Sequence, residues 1–148
     1  MQLANTKDRL FTSEWLNEPD AEGHFPTNGD RFAAQELMKR RSLDQFTGKG
    51  FVLQALAAAT HNKSAKQLKE LGNQVGRERI LVVHGVLDRM ITFTHGEVLA
   101  AELGGPEKGL TYVPVPDRGH GLPMEWRKGL TKTLAHFIER TEAMPKSL

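Results

Sequence analysis

The sequence contains no cysteine, which excludes disulfides, thiolate metal ligands and cysteine nucleophiles. It has no strong excess of either charge: 20 Lys and Arg stand against 18 Asp and Glu, for a formal net charge of +2 at pH 7. The basic residues are dispersed along the chain, so neither a nucleic-acid nor a membrane-binding patch is expected. No apolar run approaches the length of about 20 residues that spans a bilayer. The opening stretch Met1-Gln2-Leu3-Ala4-Asn5-Thr6-Lys7-Asp8 lacks the apolar core of a signal peptide. A cytoplasmic protein is the expectation. Internal repeats and low-complexity tracts are missing too.

What is present is an ordinary globular composition in 148 residues, 39% apolar and 26% charged, enough for one domain and too apolar for disorder. The pattern changes near Gly76. Residues 1–76 read as a helical region, residues 77–148 as alternating strand and helix. In the first, Leu3 to Leu16 is weakly patterned, and Asn17 to Asp30 collects Asn, Pro, Gly and Asp as an exposed loop does. Asp30 is placed to cap a helix from Arg31 to about Arg41, with Phe32, Ala33 and Leu37 on one side. A second, Ala-rich helix is predicted over Phe51 to His61, burying Phe51, Ala55 and Ala58 or Ala59. Ser64 and Gln67 form a capping box for a third, with Leu68 and Leu71 apolar and Gly72 as its stop.

In residues 77–148, the aliphatic run Ile80 to Val83 suits a strand buried on both faces of a parallel sheet. Thr94 and Glu97 form another capping box, giving a helix over His95 to Leu103 that packs through Val98, Leu99 and Leu103 and ends at Gly104-Gly105-Pro106. Thr111 to Val115 is the next strand. A last helix starts near Pro123 and presents Trp126, Leu130, Leu134, Phe137 and Ile138 on one face as core residues. The resulting β-α-β-α unit has parallel strands joined by a right-handed crossover.

Functional groups in open α/β sheets gather at the carboxyl ends of strands. Asp88 follows the first strand end after Gly85, and His120 follows the second after Gly119. On neighbouring parallel strands the Asp88 carboxylate would accept a hydrogen bond from the His120 ring, fixing its tautomer for work as a general base. Either residue alone is as well explained by a loop-capping Asp or a surface His. Their matching positions on consecutive strands favour the functional account. Other candidates fail. Gly48-Lys49-Gly50 lacks the remaining glycine and Ser/Thr of a phosphate loop, and no strand precedes it. The six histidines are not spaced i, i+4 on a helix, so no metal site is expected. His61 and His84 read as structural, at a helix and a strand end, although His84 is close enough in sequence to line a pocket beside Asp88.

His84-Gly85-Val86-Leu87-Asp88-Arg89-Met90-Ile91, then Thr94-His95-Gly96-Glu97-Val98-Leu99, then Arg118-Gly119-His120-Gly121, together resemble the C-terminal signature of the α/β-hydrolase fold superfamily. Gln54 to His61 followed by Ser64 is similar to the lid-to-core segment of single-domain members. The resemblance covers the chain from about Arg31 onward. It implies a helical lid-derived region followed by the last two strands of the hydrolase core, with Asp88 as triad acid and His120 as triad histidine. Two parts of the pattern do not occur: the Gly-x-Ser-x-Gly nucleophile elbow and the oxyanion-hole loop that precede these motifs in the family. Ser13, Ser42, Ser64 and Ser147 lack the strand-to-helix, Gly-flanked setting that exposes a nucleophilic hydroxyl. A smaller departure is Thr92, near where a proline is common.

The resemblance therefore implies ester or similar acyl hydrolysis without any cofactor, on a small-molecule ester-like substrate, in a site that an N-terminal half must complete; the chain alone is expected to be inactive. A non-catalytic remnant or interaction protein is the rival. Ile80–Val83 has one confident partner strand, so its other edge would be free to pair with another chain or to self-associate.

Overall fold

The computed structural model describes residues 3–41 and 47–145. It is mixed α/β, with a two-stranded parallel sheet as its only sheet among the described residues. The chain forms two compact units, one comprising Met1–Asp8 and Ser13–Ser64, the other Arg9–Thr12 and Ala65–Leu148.

The first unit is helical. Helix α1 (Leu3–Leu10) begins there and runs into the Arg9–Thr12 segment of the second; α2 (Ser13–Asn17), α3 (Asn28–Arg41) and α4 (Gly48–Thr60) follow. The connection from α2 to α3 is more ordered than its Gly and Pro content implies. Asp20 is buried, and its carboxylate accepts hydrogen bonds from the amides of Glu22, His24 and Phe25 while pairing with Arg31 at 3.2 Å. Helix α3 starts three residues before the expected point because Thr27, not Asp30, caps it. The Thr27 hydroxyl accepts from the Asp30 amide at 3.1 Å and donates to the Asp30 carboxylate at 2.8 Å. Of the expected apolar face, Phe32 is buried and Leu37 is exposed. Helix α4 is capped by Thr47 and buries nothing: Phe51 is 62% exposed and Leu56 57%. The burial expected for Phe51, Ala55, Ala58 and Ala59 is therefore corrected, because no described residue covers that helix.

The second unit holds the sheet. Helix α5 (Ala65–Val75) begins directly after Ser64, but Gly72 does not stop it. Gly72 is buried inside the helix, where a Cβ would run into the Leu103 carbonyl oxygen; the glycine lets the two segments touch. The stop is Gly76, whose φ of 85° lies in the region that favours glycine. Strand β1 (Leu81–Gly85) and strand β2 (Thr111–Val115) pair in register from Leu81 with Thr111 to Gly85 with Val115. Between them runs α6 (Phe93–Glu102), whose N-cap position is Thr92 rather than Thr94, with no capping hydrogen bond from its side chain. It is buried through Gly96 and Ala100, with Leu103 at its end, whereas Val98 and Leu99 are exposed. Val82, Ala100, Leu103 and Leu110 form the core, with Leu68, Ile80 and Tyr112 against it.

The last helical stretch is broken. Helix α7 (Leu122–Glu125) ends at Trp126, whose backbone (φ −133°, ψ 34°) leaves the helical region, and α8 (Arg127–Glu142) follows. Gly129 allows the Trp126 indole to lie against the helix backbone, where a Cβ would strike the ring. No residue of α8 is buried: Leu130 and Phe137 are half-buried, and Leu134 and Ile138 are exposed. Their expected placement in the core is thus corrected; the apolar stripe exists, but the described residues cover it only in part. No helix among the described residues is long and apolar enough to cross a membrane.

Candidate functional site

Parallel pairing brings both strand ends to the same edge of the sheet. Beyond the strands the two loops stay stitched together, by Val86 N–H to the Val115 carbonyl at 2.9 Å and Leu87 N–H to the Arg118 carbonyl at 3.0 Å. That approach requires a glycine at position 85, because a Cβ there would collide with the carbonyl oxygens of both Arg118 and Gly119. Asp88 therefore faces the loop that carries His120.

The Asp88 side chain is 5% exposed, and each of its oxygens has a distinct task. Oδ1 accepts from the amides of Met90 at 2.8 Å and Ile91 at 2.9 Å, closing an Asx turn on the loop. Oδ2 accepts from His120 Nδ1 at 2.8 Å. With Nδ1 donating, the neutral His120 ring keeps its lone pair on Nε2. Nε2 has no hydrogen-bond partner among the described residues, and the His120 side chain is 33% exposed. Burial pushes the Asp88 carboxyl pKa up. The bonds from the Ile91 amide, the His120 ring and the Met90 amide, with the charge of His120, outweigh burial and hold it below its ordinary 3.8. The pair thus combines an acid kept ionised, a ring held by one nitrogen, and a second nitrogen with no partner among the described residues.

A second histidine lies beside the acid. His84 Nε2 donates to the Ile91 carbonyl at 3.0 Å and stands 3.3 Å from Asp88 Oδ2. Its ring lies over the backbone of Gly96, where a Cβ would overlap the imidazole, and meets Phe93 edge-on at 5.8 Å. Phe93 in turn stacks on Tyr112. Tyr112 has a buried hydroxyl with no partner among the described residues; its pKa is raised by burial and by the nearby Glu97 charge. The sequence gives His84 a structural place at the strand end and a possible position beside Asp88, and both describe it.

The His120 loop is held by residues that the sequence reading did not single out. Glu125, 5% exposed, accepts from the Gly119 amide through Oε2 and from the Thr12 amide and hydroxyl through Oε1. The Gly121 amide donates to the Leu10 carbonyl at 2.8 Å, and Phe11 packs where a Cβ of Gly121 would stand. The available signal was a lone acid in the run Leu122-Pro123-Met124-Glu125-Trp126; nothing marked Thr12, which is 113 residues away.

Among the serines, Ser13 donates to Glu14 at 3.3 Å, Ser64 precedes α5, and Ser42 and Ser147 lie outside the described residues. No group of three or more His, Asp or Glu is placed to hold a metal ion among the described residues. Compared with protein-family models, with curated proteins and with solved structures, the chain finds no match in any of the three.

Proposed function

We propose that Asp88 and His120 are the acid and base of an α/β-hydrolase-type triad whose nucleophile lies on a segment outside these 148 residues, and that the completed site hydrolyses an ester or similar acyl compound. The observation that carries this reading is the 2.8 Å bond from His120 Nδ1 to Asp88, with the acid fixed by two amides and Nε2 left open. In the forward step Nε2 takes the proton of a serine hydroxyl as its oxygen attacks the acyl carbon. The same nitrogen returns that proton to the departing alkoxide, then activates a water against the acyl-enzyme. Asp88 stays ionised and stabilises the imidazolium throughout. The donors that stabilise the tetrahedral oxyanion also come from outside the 148 residues.

A fluorophosphonate probe tests this. The chain alone takes no label and shows no ester turnover above background. Joined to, or mixed with, an N-terminal hydrolase half bearing a Gly-x-Ser-x-Gly elbow, it supports labelling that His120→Ala abolishes. A folded complex that takes no label overturns the activity. Label on the isolated chain that is lost in His120→Ala places a nucleophile inside it and overturns the division of labour.

A second reading, an interaction protein that pairs with another chain, is favoured by one observation. The bonds flanking the ladder, Ile80 carbonyl to Thr111 N–H and Val86 N–H to Val115 carbonyl, direct the even-numbered residues of β1 toward β2. Leu81 and Val83 then present their amides and carbonyls at the opposite edge, where the sheet has no further strand among the described residues. Such an edge templates pairing. Sedimentation of the isolated chain decides: this reading expects oligomers, and a monomer at all concentrations removes it.

A further inference from the structure

We propose that Glu125 is a positioning residue for His120, fastening the loop that carries the ring through the amide that precedes it; the inference rests on the reading of His120 as the base. A buried carboxylate needs compensation, and no Lys, Arg or His pairs with Glu125 among the described residues. Its oxygens act only as acceptors, as an ionised carboxylate does. Oε2 takes the amide of Gly119, the residue immediately before His120, and Oε1 takes both the amide and the hydroxyl of Thr12. Immediately after His120, the Gly121 amide is held by the Leu10 carbonyl. His120 therefore sits between two anchored amides, and both anchors converge on the segment Arg9–Thr12.

The two neighbouring glycines fit this account. A Cβ on Gly119 would press on the Leu10 carbonyl oxygen at 3.1 Å and on Glu125 Oε2 at 3.3 Å, and one on Gly121 would overlap the Phe11 ring. Backbone this close to a carboxylate and to a second segment leaves the His120 Cα little freedom. The ring can then meet Asp88 Oδ2 without itself being enclosed. An exposed base needs its backbone fixed, since solvent does not hold the ring, and small misplacements of a proton-transferring group cost rate steeply.

The test is nuclear magnetic resonance of the His120 ring in the full chain, which needs no acyl chemistry. In the wild type the ring is the Nδ1–H tautomer with a slowly exchanging Nδ1 proton. Glu125→Ala removes the anchor on the Gly119 amide and the tie to Thr12, leaving the Gly121–Leu10 bond. Glu125→Gln keeps the shape but replaces one acceptor oxygen with a donor. In each, exchange of the Nδ1 proton should accelerate about tenfold or more, the scale expected for losing a bond to a charged acceptor, and the Nε2–H tautomer should appear. Methyl signals of Val82, Leu103 and Leu110 should meanwhile stay dispersed. A folded variant with the wild-type tautomer and exchange rate makes Glu125 merely structural and overturns the proposal. If neither variant folds, the wild type decides: the Gly119 amide must exchange at least about tenfold more slowly than the Asp117 amide of the same loop, and equal rates overturn it. An altered ring in a complex that takes no fluorophosphonate would sink the hydrolase reading and leave this inference standing.

Discussion

The acid loop and the histidine loop meet at one hydrogen bond, yet they are built on opposite principles. Asp88 is held by its own neighbourhood: the amides two and three residues ahead, Met90 and Ile91, and a histidine four residues behind. His120 depends on distant segments: Glu125, which takes the Gly119 amide directly, is itself tied to Thr12, and the Leu10 carbonyl takes the Gly121 amide. A local turn forms wherever its short sequence occurs. A long-range clamp forms only once the rest of the unit has folded. The acid loop should therefore survive perturbation that the histidine loop does not, and four substitutions grade that difference.

The largest effect is expected where the loops share a constraint. Gly85→Ala drives a methyl into the carbonyls of Arg118 and Gly119, backbone atoms that cannot swing aside. A loss of about 3 kcal/mol, the upper part of the overpacking range, should appear in denaturant unfolding, together with loss of the slowly exchanging His120 Nδ1 proton. A variant as stable as the wild type would mean that the loops are further apart than this geometry has them.

Next is Asp88→Asn, which leaves one oxygen to satisfy donors that now meet two. Two amides and a ring N–H converge on this carboxylate, so one buried donor is stranded at about 2 kcal/mol. The pH dependence follows from the depressed pKa. A carboxyl whose folded pKa lies below its unfolded value of about 3.9 adds stability that is fully present above that value and lost as pH falls through the folded pKa. The wild type should therefore lose this stability as pH falls below about 4, and Asp88→Asn should flatten that part of the profile. An unchanged profile would show that the pair does not couple to folding.

The same contrast governs what could be read from the sequence. The β2 strand, the crossover, the terminator at Gly104-Gly105 and the meeting of Asp88 with His120 were legible, because each depends on short-range pattern or on one topological rule. Burial was not. Leu134 and Ile138 carry a helical stripe and Phe51 and Leu56 an apolar helix, yet all four are exposed, since periodicity shows which face is apolar and not whether anything covers it. Gly72 illustrates a third failure. In sequence it is a helix stop; in the fold it is a contact with Leu103, invisible without the partner. Glu125 and Thr12 were missed for that reason as well.

Thr12→Val isolates the distant clamp. It removes the hydroxyl donor to Glu125 at 3.0 Å but keeps the amide donor and the side-chain volume. A loss of about 1 kcal/mol is expected, with faster exchange at Gly119 and no change at Met90 or Ile91, read by amide hydrogen exchange. Equal acceleration in both loops would erase the distinction between them.

His84→Phe gives the smallest effect and is the sharpest test of the local design. Phenylalanine keeps an aromatic ring over Gly96 and against Phe93, so packing changes little. What goes is the N–H donated to the Ile91 carbonyl and the positive edge near Asp88 Oδ2. The turn retains both amide bonds to Oδ1, and Oδ2 retains His120. A redundant local cage should absorb that loss for about 0.5–1 kcal/mol, the lower part of the range for one neutral hydrogen bond. The His120 ring should keep its Nδ1–H tautomer and its slow proton. If His84→Phe instead frees the ring as fully as Glu125→Ala, then the local cage around Asp88 is not redundant, and the acid loop is as easily loosened as the histidine loop.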